Sequence, residues 1–199
     1  MLTKTQEDIL KFLLEHSEEK NTIRGIARKL GKSYTLTYNN IALLDKIGAV
    51  SKETVGNTKV IEISKRISSD TLIEIELKRK KEFFTKNSWC ELLAGDIIKN
   101  YPNPFFILLI FGSYAKNKQN EKSDIDLLAI VKNKSEIKAL QEVILGEYTK
   151  VKKSLIVVDI EDFREMISHP EKFNVGNEAV KNHILLYGAE SYYNLIKNQ

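Results

Sequence analysis

Phe111-Gly-Ser-Tyr-Ala-Lys-Asn-Lys-Gln-Asn-Glu-Lys-Ser-Asp-Ile-Asp-Leu127 lies between two apolar runs, Phe105–Phe111 and Leu127–Val131. Runs of that length and composition read as strands buried on both faces. The first ends in Gly112-Ser113, where glycine lets the backbone approach a ligand closely and Ser113, with the amides after it, makes a turn suited to phosphate. The second opens on Asp124-Ile-Asp126, two carboxylates that alternate by two and therefore share one strand face. Such a pair suits a hard cation, and Mg²⁺ favours carboxylates combined with phosphate oxygens.

Outward from this block the pattern is mixed α/β. Ser135 opens a helix that uses Ile137, Leu140, Val143 and Ile144, and Leu155–Val158 reads as a third strand ending in Asp159. Asn177–Tyr187 and Ala189–Ile196 read as two helices divided by Gly188. Upstream, a helix around Trp89–Lys99 turns Trp89, Leu92, Leu93 and Ile97 or Ile98 inward and is broken by Tyr101-Pro-Asn-Pro104. Residues 67–87 read as a helical connector capped at Ser69-Asp70. Its Leu77-Lys-Arg-Lys-Lys-Glu82 stretch reads as a solvated face neutralised by Glu74, Glu76 and Glu82.

The first third, residues 1–66, is organised differently. Thr5, with Asp8 three positions on, opens a helix carrying Ile9, Phe12 and Leu13 on one face. A short helix from Ile23 to Leu30 ends at Gly31, and Ser33 caps a third helix to about Ile47. On that helix Leu36, Asn40, Leu43, Leu44 and Ile47 share the inward face, leaving Tyr34, Thr35, Tyr38 and Asn39 outward. Two strands, Val50–Thr54 and Lys59–Ile63, join across the turn-forming pair Gly56-Asn57.

Of 199 residues, 42% are hydrophobic and 29% charged, which excludes disorder by composition. No apolar run approaches the ~20 residues of a membrane helix, and the single cysteine, Cys90, cannot form an internal disulfide. The expectation is a cytoplasmic protein with no membrane partner. The net charge of +4 resides in residues 1–66, which carry 12 basic and 8 acidic side chains. That asymmetry points to a polyanion partner for the first third and a different task for the balanced remainder.

Residues 20–66, through Ile26-Ala-Arg-Lys-Leu-Gly31, Leu43-Leu-Asp-Lys-Ile-Gly-Ala-Val50 and a wing around Gly56, resemble the winged helix-turn-helix regulators. The resemblance implies DNA binding by the third helix in the major groove. Lys32, Ser33, Tyr34, Thr35, Tyr38, Asn39 and Lys59 would make the contacts, with Lys52 as a further phosphate partner. It also implies a homodimer reading two half-sites.

The 111–127 block resembles the signature of the polymerase-beta-like nucleotidyltransferases, in particular their small "minimal" group, over roughly residues 88–199. That resemblance implies an α+β fold with a short mixed sheet flanked by helices, a nucleoside triphosphate as substrate and Mg²⁺ as cofactor. It makes Gly112 and Ser113 the phosphate turn, Lys116 a nucleotide-binding cation, and Asp124 and Asp126 the catalytic metal ligands. Asn117 stands where the family usually has glycine, a departure a left-handed backbone tolerates. Asp159 has two readings: the family's third catalytic and metal-binding carboxylate, or the N-cap of a helix whose first turn holds Glu161 and Asp162.

Three functions are expected to compete. One is Mg²⁺-dependent transfer of a nucleoside monophosphate to an acceptor, coupled to DNA binding. A second is transcription regulation by nucleotide sensing without turnover, and the third is an antitoxin-like partnership with a toxin. His16, His169 and His183 have no ligand spacing, and Arg164-x4-His169 is a two-residue motif in the wrong fold. Tyr192 and Tyr193 read as either a cover for a base or terminal helix packing.

Overall fold

A computed structural model describes residues 2–56 and 58–197, so Asn57 of the expected turn lies outside the described residues. The chain divides into two compact units, 1–75 and 76–199. Among the described residues no helix is long and apolar enough to cross a membrane.

In the first unit Thr3 caps α1, Lys4–Glu15, by a reciprocal capping box with Gln6. The helix thus starts before Thr5, and Asp8 pairs with Lys32 at 3.0 Å instead of capping. Thr22 caps α2, Ile23–Lys29, and Ser33 caps α3, Tyr34–Lys46. β1, Val50–Val55, and β2, Thr58–Ile63, form an antiparallel pair with Val50 opposite Ile63. Thr22 bridges Val60, and the Ile61 amide donates to Asn21 O, so the segment before α2 lies along the hairpin's edge. Ile9, Leu10, Ile26, Ile41, Leu44 and Ile61 are fully buried.

The inward face of α3 differs from the apolar stripe in its sequence. Thr37, Asn40, Ile41 and Leu44 are buried, while Leu36, Leu43 and Ile47 are exposed. Thr37 donates its hydroxyl to Ser33 O and Asn40 its amide to Leu36 O. Their polar groups are satisfied within the helix, so burying them leaves few unpaired atoms.

The second unit is built on a four-stranded sheet of order β5-β4-β3-β6. β3 is Phe106–Phe111, β4 Ile125–Val131, β5 Lys153–Asp159 and β6 Ile184–Tyr187. β3 runs antiparallel to β4 and β6, whereas β4 and β5 are parallel. All six residues of β3 are buried, each side chain contributing about 1.5–3 kcal/mol of transfer free energy. Ser88–Asn100, α5, and Ile137–Gly146, α7, share one core with Leu108, Ile110, Leu127 and Ala129. Cys90 belongs to it, and burial pushes its thiol up to about 12. Leu92 and Ile98 face outward instead. Ile160–Ile167, α8, Val175–Lys181, α9, and Ala189–Lys197, α10, complete the unit and touch β3, β4 or β5. A mixed sheet flanked by helices fits the nucleotidyltransferase fold.

The C-terminal pattern departs from the expected pair of helices, because Ile184–Tyr187 is a strand that occupies the edge of β3. A short apolar run has no decisive period, and only the open hydrogen-bonding edge of β3 selects the extended form. Gly188 follows with φ +78, and a Cβ there would lie 2.5 Å from Phe106 O.

The stretch read as a connector contains Ser69–Lys86, α4, and from Glu76 onward it belongs to the second unit. Glu76 and Arg79 are not solvated: they are 1% and 3% exposed and form an ion pair. Tyr193 donates its hydroxyl to Glu76 Oε1 at 3.0 Å, and Arg79 donates to His183 O at 2.9 Å. His183 is itself buried, its Nδ1 2.7 Å from Ala179 O. Tyr192 and Tyr193 are therefore packing residues joined to this network, not a cover for a base.

Burial alone would push the Glu76 carboxyl up, but Arg79 and the hydrogen bonds from His183 and Tyr193 prevail, moving it from 4.5 to about 2. A carboxylate lowered on folding contributes stability above its unfolded pKa and loses it as pH falls toward the folded value. Arg79→Ala should cost about 3–5 kcal/mol at pH 7, since it strands a buried carboxylate. Chemical denaturation should show that deficit narrowing as pH falls from 4.5 toward about 2, where the wild-type carboxylate takes up its proton and loses the advantage that Arg79 gives it.

Candidate active site

The register of β3 against β4 places Phe111 opposite Asp126. The chain therefore leaves β3 at the same end of the sheet where the carboxylates enter β4. Gly112–Ala115 forms a single helical turn, α6, that touches both strands. Gly112 has φ +67, and a Cβ there would collide with the Asp126 carboxylate, lying 3.0 Å from its Cγ. Glycine is required twice over, by the backbone angle and by this contact. Asn117 adopts φ +51, the left-handed conformation expected where the family usually has glycine.

Asp126 is half-buried, on the sheet face of Leu128 and away from the α5–α7 core. Burial raises its pKa, a hydrogen bond from Ser154 opposes the shift, and the charges of Glu178 and Asp124 add to it. Asp124 lies just before β4, with Lys152 Nζ 3.7 Å away. Lys116 reaches from the end of α6 to Glu178 on α9, Nζ to Oε1 3.0 Å. Gly112, Ser113, Asp124 and Asp126 are thus gathered at one end of the sheet, with Lys116, which the resemblance alone assigned to the site.

Asp159 is not among them. β4 and β5 are parallel, with Asp126 opposite Ser154 and Val131 opposite Asp159. Asp159 lies five residue steps along the strand from Ser154, about 16 Å, and the odd offset turns it to the opposite sheet face. Its Oδ1 accepts from Asp162 N at 2.8 Å, capping α8. Of the two sequence readings, the helix cap is the one the structure carries. The position beside Asp126 is held by Ser154, and among the described residues no group of three or more His, Cys, Asp or Glu side chains is placed to hold a metal.

Two residues of this site escape a sequence reading. Ser154 is a small polar residue in a lysine-rich strand start, with nothing to mark it. Glu178 lies 62 residues from Lys116 and meets it only through the tertiary fold.

On the first unit Tyr34, Thr35, Tyr38 and Asn39 are exposed together on α3, with Tyr34 and Tyr38 stacked at 6.1 Å. Ser33 Oγ is engaged as the N-cap, accepting from Leu36 N. Lys32 pairs with Asp8 and Lys52 with Asp45, whereas Lys59 is exposed on β2. His169 is exposed beside Glu171, and Arg164 lies exposed on α8.

Residues 94–190 match the model of the family described as polymerase beta, nucleotidyltransferase. A solved structure described as "Crystal structure of the toxin-antitoxin with AMP-PNP" is 16% identical, with TM-score 0.32 over 54% of this chain and 90% of that chain. No curated protein matches. The segment from α5 to the start of α10 is thus similar to nucleotidyltransferase domains, and it contains every residue gathered at the Gly112–Asp126 corner.

The carboxylates at the two ends of the β4–β5 pair should respond oppositely to removal. Asp159→Ala should cost about 1 kcal/mol through the lost cap. A carboxyl raised on folding withdraws stability as pH rises through its shifted value, so Asp126→Asn should raise the melting temperature at pH 7. That gain should vanish near pH 3 in the same thermal scans.

Proposed function

We propose that the second unit is a Mg²⁺-dependent nucleotidyltransferase that transfers a nucleoside monophosphate from a triphosphate to an acceptor, and that the first is a winged helix-turn-helix module binding DNA. The observation that carries the enzymatic reading is the seating of Gly112 against Asp126, which brings a phosphate turn and two carboxylates to one corner. The site fits a hard divalent cation: its donors are oxygens, and Gly112 keeps a side chain off the Asp126 carboxylate. Asp124 and Asp126 would hold the cation, which when bound activates the attacking hydroxyl and neutralises charge on the leaving pyrophosphate. Ser113 and the turn after it orient the triphosphate, and Lys116 adds a cation for its phosphates. Ser154, bonded to Asp126, holds that carboxylate in position.

A second reading is nucleotide sensing without turnover. The observation favouring it is Ser154 beside Asp126, where a carboxylate could have served as base. Replacing Asp124 and Asp126 together by Asn should abolish Mg²⁺-dependent triphosphate binding in calorimetry while leaving the circular dichroism spectrum unchanged. Pyrophosphate release by the wild-type protein across acceptor hydroxyls supports transfer. Tight binding of one triphosphate with no release under any acceptor establishes sensing.

For the first unit, the exposed Tyr34, Thr35, Tyr38 and Asn39 supply groups that reach base edges and phosphates, and Lys59 an exposed cation. A two-fold pairing of chains would present two α3 helices to successive half-sites. Lys59→Ala should weaken duplex DNA binding across all sequences and reduce the slope of log affinity against log salt by about one. Lys32→Ala should do less, because that charge is already paired with Asp8. Titrations of the full chain at several salt concentrations read both slopes.

A further inference from the structure

Lys116, the cation assigned to the triphosphate, is already occupied by Glu178. Both side chains are about 30% exposed, at 31% and 29%, so the pair is neither fully screened nor sealed from a ligand. The 3.0 Å contact with Lys116 and the packing of α9 against β3 place Glu178 next to the turn that follows β3, and its charge adds to the burial that raises the Asp126 pKa. No helical spacing explains the contact, since Lys116 follows α6 and Glu178 sits in the first turn of α9. Lys152 behaves differently: it is 81% exposed and approaches Asp124 at 3.7 Å, so it contributes a loose counter-charge.

We propose that Glu178 is an internal stand-in for the triphosphate: it holds Lys116 until a phosphate chain binds, and must be displaced for that chain to bind. Displacement has a second consequence. The freed Glu178 carboxylate adds to the negative charge of Asp124, Asp126 and the incoming phosphates, against which stand only Lys116 and the loosely placed Lys152. A metal-free triphosphate meets both the lost ion pair and the uncovered charge, while a cation-bound one brings compensation with it. Glu178 therefore sets the preference of the site for the cation-complexed triphosphate over the free anion, as a specificity-determining residue acting through Lys116. This rests on the nucleotide-binding reading of the Gly112–Asp126 corner and adds to it a residue that neither the sequence spacing nor the resemblance assigns.

The test uses the full chain, with inorganic triphosphate in EDTA as a base-independent probe, and calorimetry as the readout. Glu178→Gln should tighten metal-free binding by about three- to fivefold, the range an ion pair of this exposure supports. In a Lys116→Ala background the same substitution should gain less than half of that, because the captured cation is gone. The Mg²⁺-complexed probe should gain less than the free one, so the ratio of the two affinities narrows. An unchanged or weakened metal-free affinity in Glu178→Gln overturns the proposal, as does an equal gain with and without Lys116. If Mg²⁺-complexed nucleoside triphosphates bind but the metal-free probe fails to bind Glu178→Gln, the proposal alone falls. If no triphosphate of either kind binds wild type or variants, and Asp126→Asn changes nothing, the nucleotide reading has failed and the proposal with it.

Discussion

The pairing of Phe111 with Asp126 across β3 and β4 governs the chemistry of the second unit. Once those two residues are opposite, the chain must turn away from β3 directly over the first carboxylate strand. The next residue then has to be a glycine, because any Cβ would occupy the space of the Asp126 carboxylate. The turn of α6 follows, carrying Ser113 as its second residue and sending Lys116 to Glu178 on α9. A slip of one residue in this register would send Asp126 to the α5–α7 face and separate the carboxylates from the turn. The apolar packing of β3, buried along its whole length, is what makes such a slip costly.

The same sheet explains why the site has two carboxylates at its corner and not three. A parallel neighbour contributes its opening residues to the end where β4 opens, so only the start of β5 can reach Asp126. Ser154 stands there, and Asp159 is carried to the far end, where it begins α8. Acidic character returns to the corner from another direction, through Glu178 on α9, already balanced by Lys116. The electrostatic state of the site is thus set by the turn after β3 and the first residues of β4, which are close in sequence, and by the first turn of α9, which is not.

A separate electrostatic centre adjoins the start of β6. Glu76 and Arg79 on α4 meet Tyr193 on α10 and the backbone of His183 before β6, joining the last third of the chain to a helix over a hundred residues earlier. Buried ion pairs add little net stability when complete, yet they penalise arrangements that leave one partner alone. This one ties the placement of β6 and α10 to α4, and β6 in turn covers the edge of β3.

Local sequence determined the two apolar strands, the Gly-Ser turn, the aspartate pair at the start of the second strand, and the order of three helices and a hairpin in the first unit. Each of these follows from spacing within a dozen residues, where side-chain alternation and capping act directly. Tertiary structure decided what depends on neighbours: that Ile184–Tyr187 is a strand, since only the open edge of β3 distinguishes it from a helix, and that Thr37 and Ile41 join Asn40 and Leu44 on the inward face of α3 in place of Leu36, Leu43 and Ile47. It likewise decided that Glu76 and Arg79 are core residues and that Asp159 is a cap. The identity of the residue beside Asp126 was beyond the reach of sequence for one physical reason. In parallel strands the partner is set by the register of a crossover connection, here more than twenty residues long, and no local pattern encodes where that connection brings the chain back.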